Sequence, residues 1–96
     1  MNYNFEWNIH KARSNHQKHG IRFEEAATVF RDPNALTIYD PDHSGHEDRW
    51  ITMGISNVGR LLIVCHTFRK LNNDSVSIRI FSSRNATKKE SNLYGR

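Results

Sequence analysis

Residues 61–65, Leu-Leu-Ile-Val-Cys, carry no charged or strongly polar side chain at any position. Successive side chains of a strand point to opposite faces, so an unbroken apolar run of this length belongs in the middle of a sheet covered on both sides. It falls far short of the roughly 20 apolar residues that span a membrane. Met1 to Asn4 lacks the charged-then-apolar layout of a signal peptide, so a soluble, cytoplasmic protein is expected. The rest of the chain must supply strands to flank this run and helices to cover it.

Strands are expected near 35–39, 49–56, 60–69 and 76–82. Turn-like Asn57-Val58-Gly59 and Asn72-Asn73-Asp74 join the last three into an antiparallel meander. Phe5-Glu6-Trp7 reads as a short first strand. Asn8 is placed to cap a helix through about His19, where Gly20 stops it. That helix has little apolar stripe beyond Ile9 and Ala12, so it leans on the fold or serves as a surface. In the next helix Phe23, Ala26, Ala27 and Phe30 recur at i, i+3, i+4 and i+7, with Glu24 and Glu25 at its positive end and Pro33 beyond it. Thr87-Lys88-Lys89-Glu90 matches a capping box and opens a short C-terminal helix. The expectation is one α+β domain over residues 1–96, a mainly antiparallel sheet with two N-terminal helices packed on one face and a short C-terminal helix.

Alternation along the strands separates two faces. Ile51, Met53 and Ile55 share one, and Val76, Ile78 and Ile80 share one, so both sets are expected to meet the helices. Trp50, His66, Phe68, Arg79 and Phe81 then fall together on a partly open second face.

Fourteen Lys and Arg against ten Asp and Glu give a net charge of +4, compatible with a polyanionic partner. Between Trp7 and Phe23 stand Lys11, Arg13, Lys18 and Arg22, with His10, His16 and His19 and no acid. From Ser75 onward come Arg79, Arg84, Lys88, Lys89 and Arg96 against Glu90 alone, while Asp40, Asp42, Glu47 and Asp48 gather in the middle. The single cysteine, Cys65, excludes an intrachain disulfide and a thiolate zinc cluster. His43 and His46, among the carboxylates of 40–48, match no recognised ligand spacing, so no metal site and no cofactor are expected.

The order of motifs resembles the BrnT family of toxins from bacterial type II toxin–antitoxin pairs. It runs from FEWN (5–8) through KARSNHQKHG (11–20), FEEAATVFRDP (23–33), EDRWITMGIS (47–56) and GRLLIVCHTFR (59–69) to IRIFSSRNATKKE (78–90). Phe81, Ser83 and Asn85 stand where the family usually carries an aliphatic residue, an alanine and a basic residue, and Arg22 stands where a Ser often caps the second helix. The resemblance implies a RelE-like fold and metal-free cleavage of RNA, messenger RNA in the first instance. It also implies silencing by a ribbon-helix-helix antitoxin in a complex of two copies of each chain that represses its own operon. The alternative is a toxin-like subunit without useful nuclease activity that acts with its antitoxin in repression.

Metal-free RNA cleavage needs a base for the 2′-OH, positive charge at the phosphorus and an acid for the leaving 5′-oxygen. Guanidinium groups suit the second task, since a planar fork binds two phosphate oxygens and stays charged. Arg79 and Arg84, with Lys88 at the start of the last helix, are expected to converge into a phosphate pocket; Arg49 and Arg69 are further candidates. His66 is the first choice for proton transfer, with His19, Glu90 and Tyr94 behind it. Lys11 and Lys18 would guide the RNA backbone, and Trp50 would stack a base.

Overall fold

The computed structural model of the chain describes residues 2–95. The apolar run becomes strand β4 (Leu61–His66), the middle of a six-stranded mixed sheet. Around it lie β1 (Asn2–Glu6), β2 (Leu36–Tyr39), β3 (Trp50–Ile55), the two-residue β5 (Arg69–Lys70) and the long β6 (Ser75–Asn85). Their order is β1-β6-β4-β3-β2, with β5 also on β6. β1 runs parallel to β6, and the other pairings are antiparallel. Helix α1 (Ile9–His19), helix α2 (Phe23–Thr28) and a 3₁₀ turn (Val29–Arg31) follow β1, and α3 (Lys88–Tyr94) closes the chain. Among the described residues no helix is long and apolar enough to cross a membrane.

The core lies between the sheet and the first two helices. Ile21, Phe23, Ala26 and Val29 pack against Leu62, Val64, Val76, Ile78 and Ile80, flanked by Phe5, Trp7 and Phe30. Each fully buried Val, Leu, Ile or Phe among them contributes about 1.5–3 kcal/mol. Arg22 at the N-cap of α2 makes no capping bond. That helix is held instead by Glu25, which accepts from Ser56 Oγ (2.7 Å) and from Arg60 Nε (2.9 Å), tying it to the β3–β4 hairpin.

β3 turns the other way from the expectation. Directly paired residues share a face, and Thr52 pairs with Val64 and Gly54 with Leu62, so Thr52 and Gly54 look toward the helices while Ile51, Met53 and Ile55 look away. Space decides this. A Cβ on Gly54 would stand 2.8 Å from Val29 Cγ1 and 3.2 Å from Ala35 Cβ, so the 3₁₀ turn approaches that face too closely for a larger residue. Ile51 and Met53 pack instead with Leu36, Ile38, Ile63 and Leu93 on the opposite side.

The open face proposed from alternation is also divided. Cys65 pairs with Ser82 but His66 pairs with Ile80, so β6 carries a bulge with Phe81 as its extra residue. Trp50 and His66 lie on the helix side, paired with each other, whereas Arg79, between core residues Ile78 and Ile80, points to the other side.

Candidate nucleic-acid interface

Helix α1 is fixed at both ends. Asn8 Oδ1 accepts from His10 N (2.9 Å) and Lys11 N (3.1 Å), and Gly20, at φ 71°, adopts the left-handed conformation that only glycine takes without cost. This phasing sets Lys11, Ser14, Asn15 and Lys18, at i, i+3, i+4 and i+7, along one side facing β6. Asn15 is the buried residue of the helix. Its Nδ2 donates to Ser83 O (2.8 Å) and Ile21 O (3.0 Å), and its Oδ1 accepts from Ser83 N (3.0 Å). β1 has ended by then, its last pair being Glu6 with Arg79, and the Asn15 amide serves β6 as a strand neighbour would.

Between this helix and the bulge lies a groove of about 320 Å³, lined by His10, Lys11, Lys18, His19, Phe81 and Ser82 among others. Three cations surround the Phe81 ring: Arg49 Cζ at 4.1 Å from its centroid, Lys11 Nζ at 5.5 Å and Arg79 Cζ at 6.0 Å. A ring face attracts each by about 0.5–2 kcal/mol, which offsets part of their mutual repulsion. Ion pairs among the described residues are His43–Asp40, Arg49–Glu47, Arg60–Glu25 and Arg84–Glu90, so Lys11, Lys18 and Arg79 have no carboxylate in contact. Arg49 reaches Glu47 only at 3.8 Å, and its buried Nε has no hydrogen-bond partner. Like charges held together with only one such distant counter-charge in contact favour an arriving anion. Arg69 lies beside Arg79 in an adjoining groove that also contains Glu6, Glu47 and Asp48.

The sequence-predicted phosphate pocket of Arg79, Arg84 and Lys88 does not assemble. Arg79 and Arg84 are five positions apart on one strand, about 15 Å at its rise per residue. Arg84 is committed elsewhere: Nη1 and Nη2 donate to Glu90 Oε1 (2.7 Å) and Oε2 (2.9 Å). Glu90 Oε1 also accepts from Thr87 N (2.9 Å), and Glu90 N donates to Thr87 Oγ1 (3.2 Å), completing the capping box. The Arg84 bond, against a smaller opposing effect of burial, holds the Glu90 carboxyl down at about 2. Lys88 is exposed at the start of α3, away from the Phe81 cluster's lining residues.

His66 is 0% exposed and is corrected from a proton-transfer group to a core histidine. Nδ1 lies 2.9 Å from Thr67 O, so it must carry the proton, and Nε2 accepts from Thr52 Oγ1 at 2.7 Å. Burial pushes this imidazole below its ordinary pKa. Phe30 packs edge-on at 4.8 Å. Tyr94 is likewise engaged, its hydroxyl donating to Asp32, which also accepts from Ile55 N (2.8 Å) and Asn34 N (2.9 Å). Burial alone would raise the Asp32 pKa, but these three bonds together hold it below the usual range. Trp50 meets Tyr39 edge-on at 5.2 Å and lies on the opposite side of β3 from the cations.

Lys11, Lys18, His19, Arg49 and Arg79 are thus brought together, with His10, Ser14 and Phe81 as partners the sequence reading did not assign. The polar i, i+3, i+4, i+7 stripe of a helix with few apolar residues was the available signal. Among the described residues no three His, Cys, Asp or Glu side chains are grouped to hold a metal ion.

A small α+β protein with a basic groove built on one helix and a strand bulge has the surface of a protein that handles phosphodiester chains. The chain belongs to the family of ribonuclease toxins, BrnT, of type II toxin–antitoxin systems, whose profile matches residues 7–90. A ribonuclease acts on RNA, and such a toxin has an antitoxin partner. The 1.1 Å crystal structure of the Brucella abortus ribonuclease toxin BrnT shares the fold, with a TM-score of 0.59 and 19% identity over 92% of this chain and 100% of that chain. No curated protein matches the chain.

Proposed function

We propose that the protein is a metal-independent endoribonuclease that cleaves RNA, messenger RNA foremost, in the groove between α1 and Phe81. The observation that carries this reading is the convergence of Lys11, Arg49 and Arg79 on one aromatic ring with, among the described residues, no carboxylate in contact with Lys11 or Arg79. The 2′-oxygen attacks the adjacent phosphorus while the 5′-oxygen leaves, yielding a 2′,3′-cyclic phosphate and a 5′-hydroxyl. Arg79 and Lys11 neutralise the charge that builds on the phosphoryl oxygens, and Arg49, stacked on Phe81, holds the third side. His10 and His19, both in the groove, are the residues suited to take the 2′ proton and protonate the 5′-oxygen. Lys18 guides the entering backbone. The RelE-like character of the fold, a cytoplasmic site of action and neutralisation by a ribbon-helix-helix antitoxin in a complex of two copies of each chain belong to the same reading.

The test is purified, antitoxin-free protein incubated with RNA and EDTA. Cleavage leaving cyclic phosphate ends is expected, reduced at least about tenfold in Lys11→Ala and Arg79→Ala, whose exposed side chains can be removed without unfolding the chain. Intact RNA at high protein concentration would instead favour a binding subunit.

A further inference from the structure

Beyond the 3₁₀ turn, the helix side of the sheet holds a second cavity, of about 480 Å³, walled by Tyr3, Phe30, Trp50 and Phe68. That volume is in the range of small-ligand sites. Tyr3 and Phe68 are among the exposed large hydrophobic residues, so the aromatic walls reach the mouth.

The polar lining has a definite hydrogen-bonding sense. His66 Nδ1 donates to Thr67 O, so its Nε2 accepts the Thr52 hydroxyl proton. Thr52 has then spent its proton, and the 2.8 Å contact with Thr37 requires Thr37 to be the donor. The Thr37 oxygen keeps only acceptor capacity. Asp32, also in the lining, already accepts from Asn34 N, Ile55 N and the Tyr94 hydroxyl, which leaves one acceptor position, on Oδ1. An aromatic slot with acceptors in its wall fits a flat heterocycle bearing N–H groups.

The cavity adjoins a charged groove. Phe68 lines it and also the groove in which Arg69 and Arg79 stand beside Glu6, Glu47 and Asp48. Trp50 directly follows Arg49, so its ring lies on the opposite side of β3 from the cation on Phe81, and Phe68 is the residue common to both sides.

We infer that this cavity is a specificity pocket for an unpaired RNA base carrying an exocyclic amine, stacked between Trp50 and Phe68 and bonded to Thr37 and Asp32. Adenine, guanine and cytosine offer an amine with two N–H donors, one for each acceptor, whereas uracil offers only its single N3–H. The inference rests on the proposed ribonuclease function and adds base selection to it.

The full chain is titrated with the four nucleoside 5′-monophosphates and with ribose 5-phosphate, reading tryptophan fluorescence. AMP, GMP and CMP are expected to quench it and to bind about tenfold or more tighter than ribose 5-phosphate. Phe68→Ala is expected to weaken them about tenfold, and Thr37→Val to remove the preference for CMP over UMP. Equal binding of all five ligands, or affinities unchanged in Phe68→Ala, would overturn the inference. RNA cleavage in EDTA is measured on the same preparations. A wild-type chain that cleaves RNA but binds no base here leaves the ribonuclease reading standing and this pocket refuted. Amine-selective binding without cleavage does the reverse.

Discussion

Replacing Asn15 by alanine tests how the groove is held open. Its amide serves three main-chain groups, Ser83 N–H, Ser83 C=O and Ile21 C=O, at 2.8–3.0 Å. Ser83 is fully buried, and so is Ile21. Alanine leaves all three without a partner, and each buried orphan costs about 1–3 kcal/mol. Some relaxation will share that cost, so the expected loss is about 3–5 kcal/mol, a large part of the ~5–15 kcal/mol that stabilises a domain. At roughly 4–8 °C per kcal/mol the thermal midpoint should fall by more than about 10 °C. Urea unfolding followed by tryptophan fluorescence should show a lower midpoint with an unchanged slope. Asn15→Asp keeps the acceptor for Ser83 N–H but sets a carboxylate against two carbonyl oxygens, and it should be no better. A loss below about 1 kcal/mol in the alanine variant would refute the claim that this side chain substitutes for a missing strand.

Two pH effects follow from internal contacts. The Glu90 carboxyl, at about 2 in the folded chain against an ordinary 4.5, contributes stability fully above about pH 4.5 and loses it as pH falls toward 2. With Arg84 42% exposed, solvent screening limits this to about 1–2 kcal/mol, so the urea midpoints of wild type and Glu90→Gln should differ at pH 7 and converge near pH 2. His66 acts in a higher window, because its folded pKa is depressed from 6.5 while the unfolded ring protonates near that value. Its contribution should decline as pH drops below about 6.5, and the pH dependence of unfolding between 7 and 5 should be shallower in His66→Gln than in wild type.

What was legible in the sequence was local. Asn8, Gly20 and the Thr87–Glu90 box act over a few residues, and each occupies its expected cap. The apolar run at 61–65 did mark the central strand. Pairings across long separations were not legible. Nothing near Arg84 in sequence distinguishes a phosphate ligand from the partner of Glu90, and nothing near Tyr94 points to Asp32. The face of β3 depended on how closely Val29 approaches Gly54, and alternation marks two faces without saying which is inner. His66 follows an apolar strand, and alternation points it to an open face, but the bulge opposite it and the hydroxyl of Thr52 enclose it. On α1, by contrast, the scarcity of apolar residues matches an exposed helix, and Lys11 and Lys18, expected from charge alone to meet RNA, both line the groove.

Phe81 is surplus to the ladder. Without it, Ile80 and Ser82 would occupy consecutive places opposite His66 and Cys65, one pointing inward and one outward, with regular pairing on either side. The architecture could therefore lose this residue and keep its register, yet this is the ring on which three positive side chains meet. A position released from alternation is free to be shaped by what approaches it from outside, and substitutions there should alter chemistry more than folding.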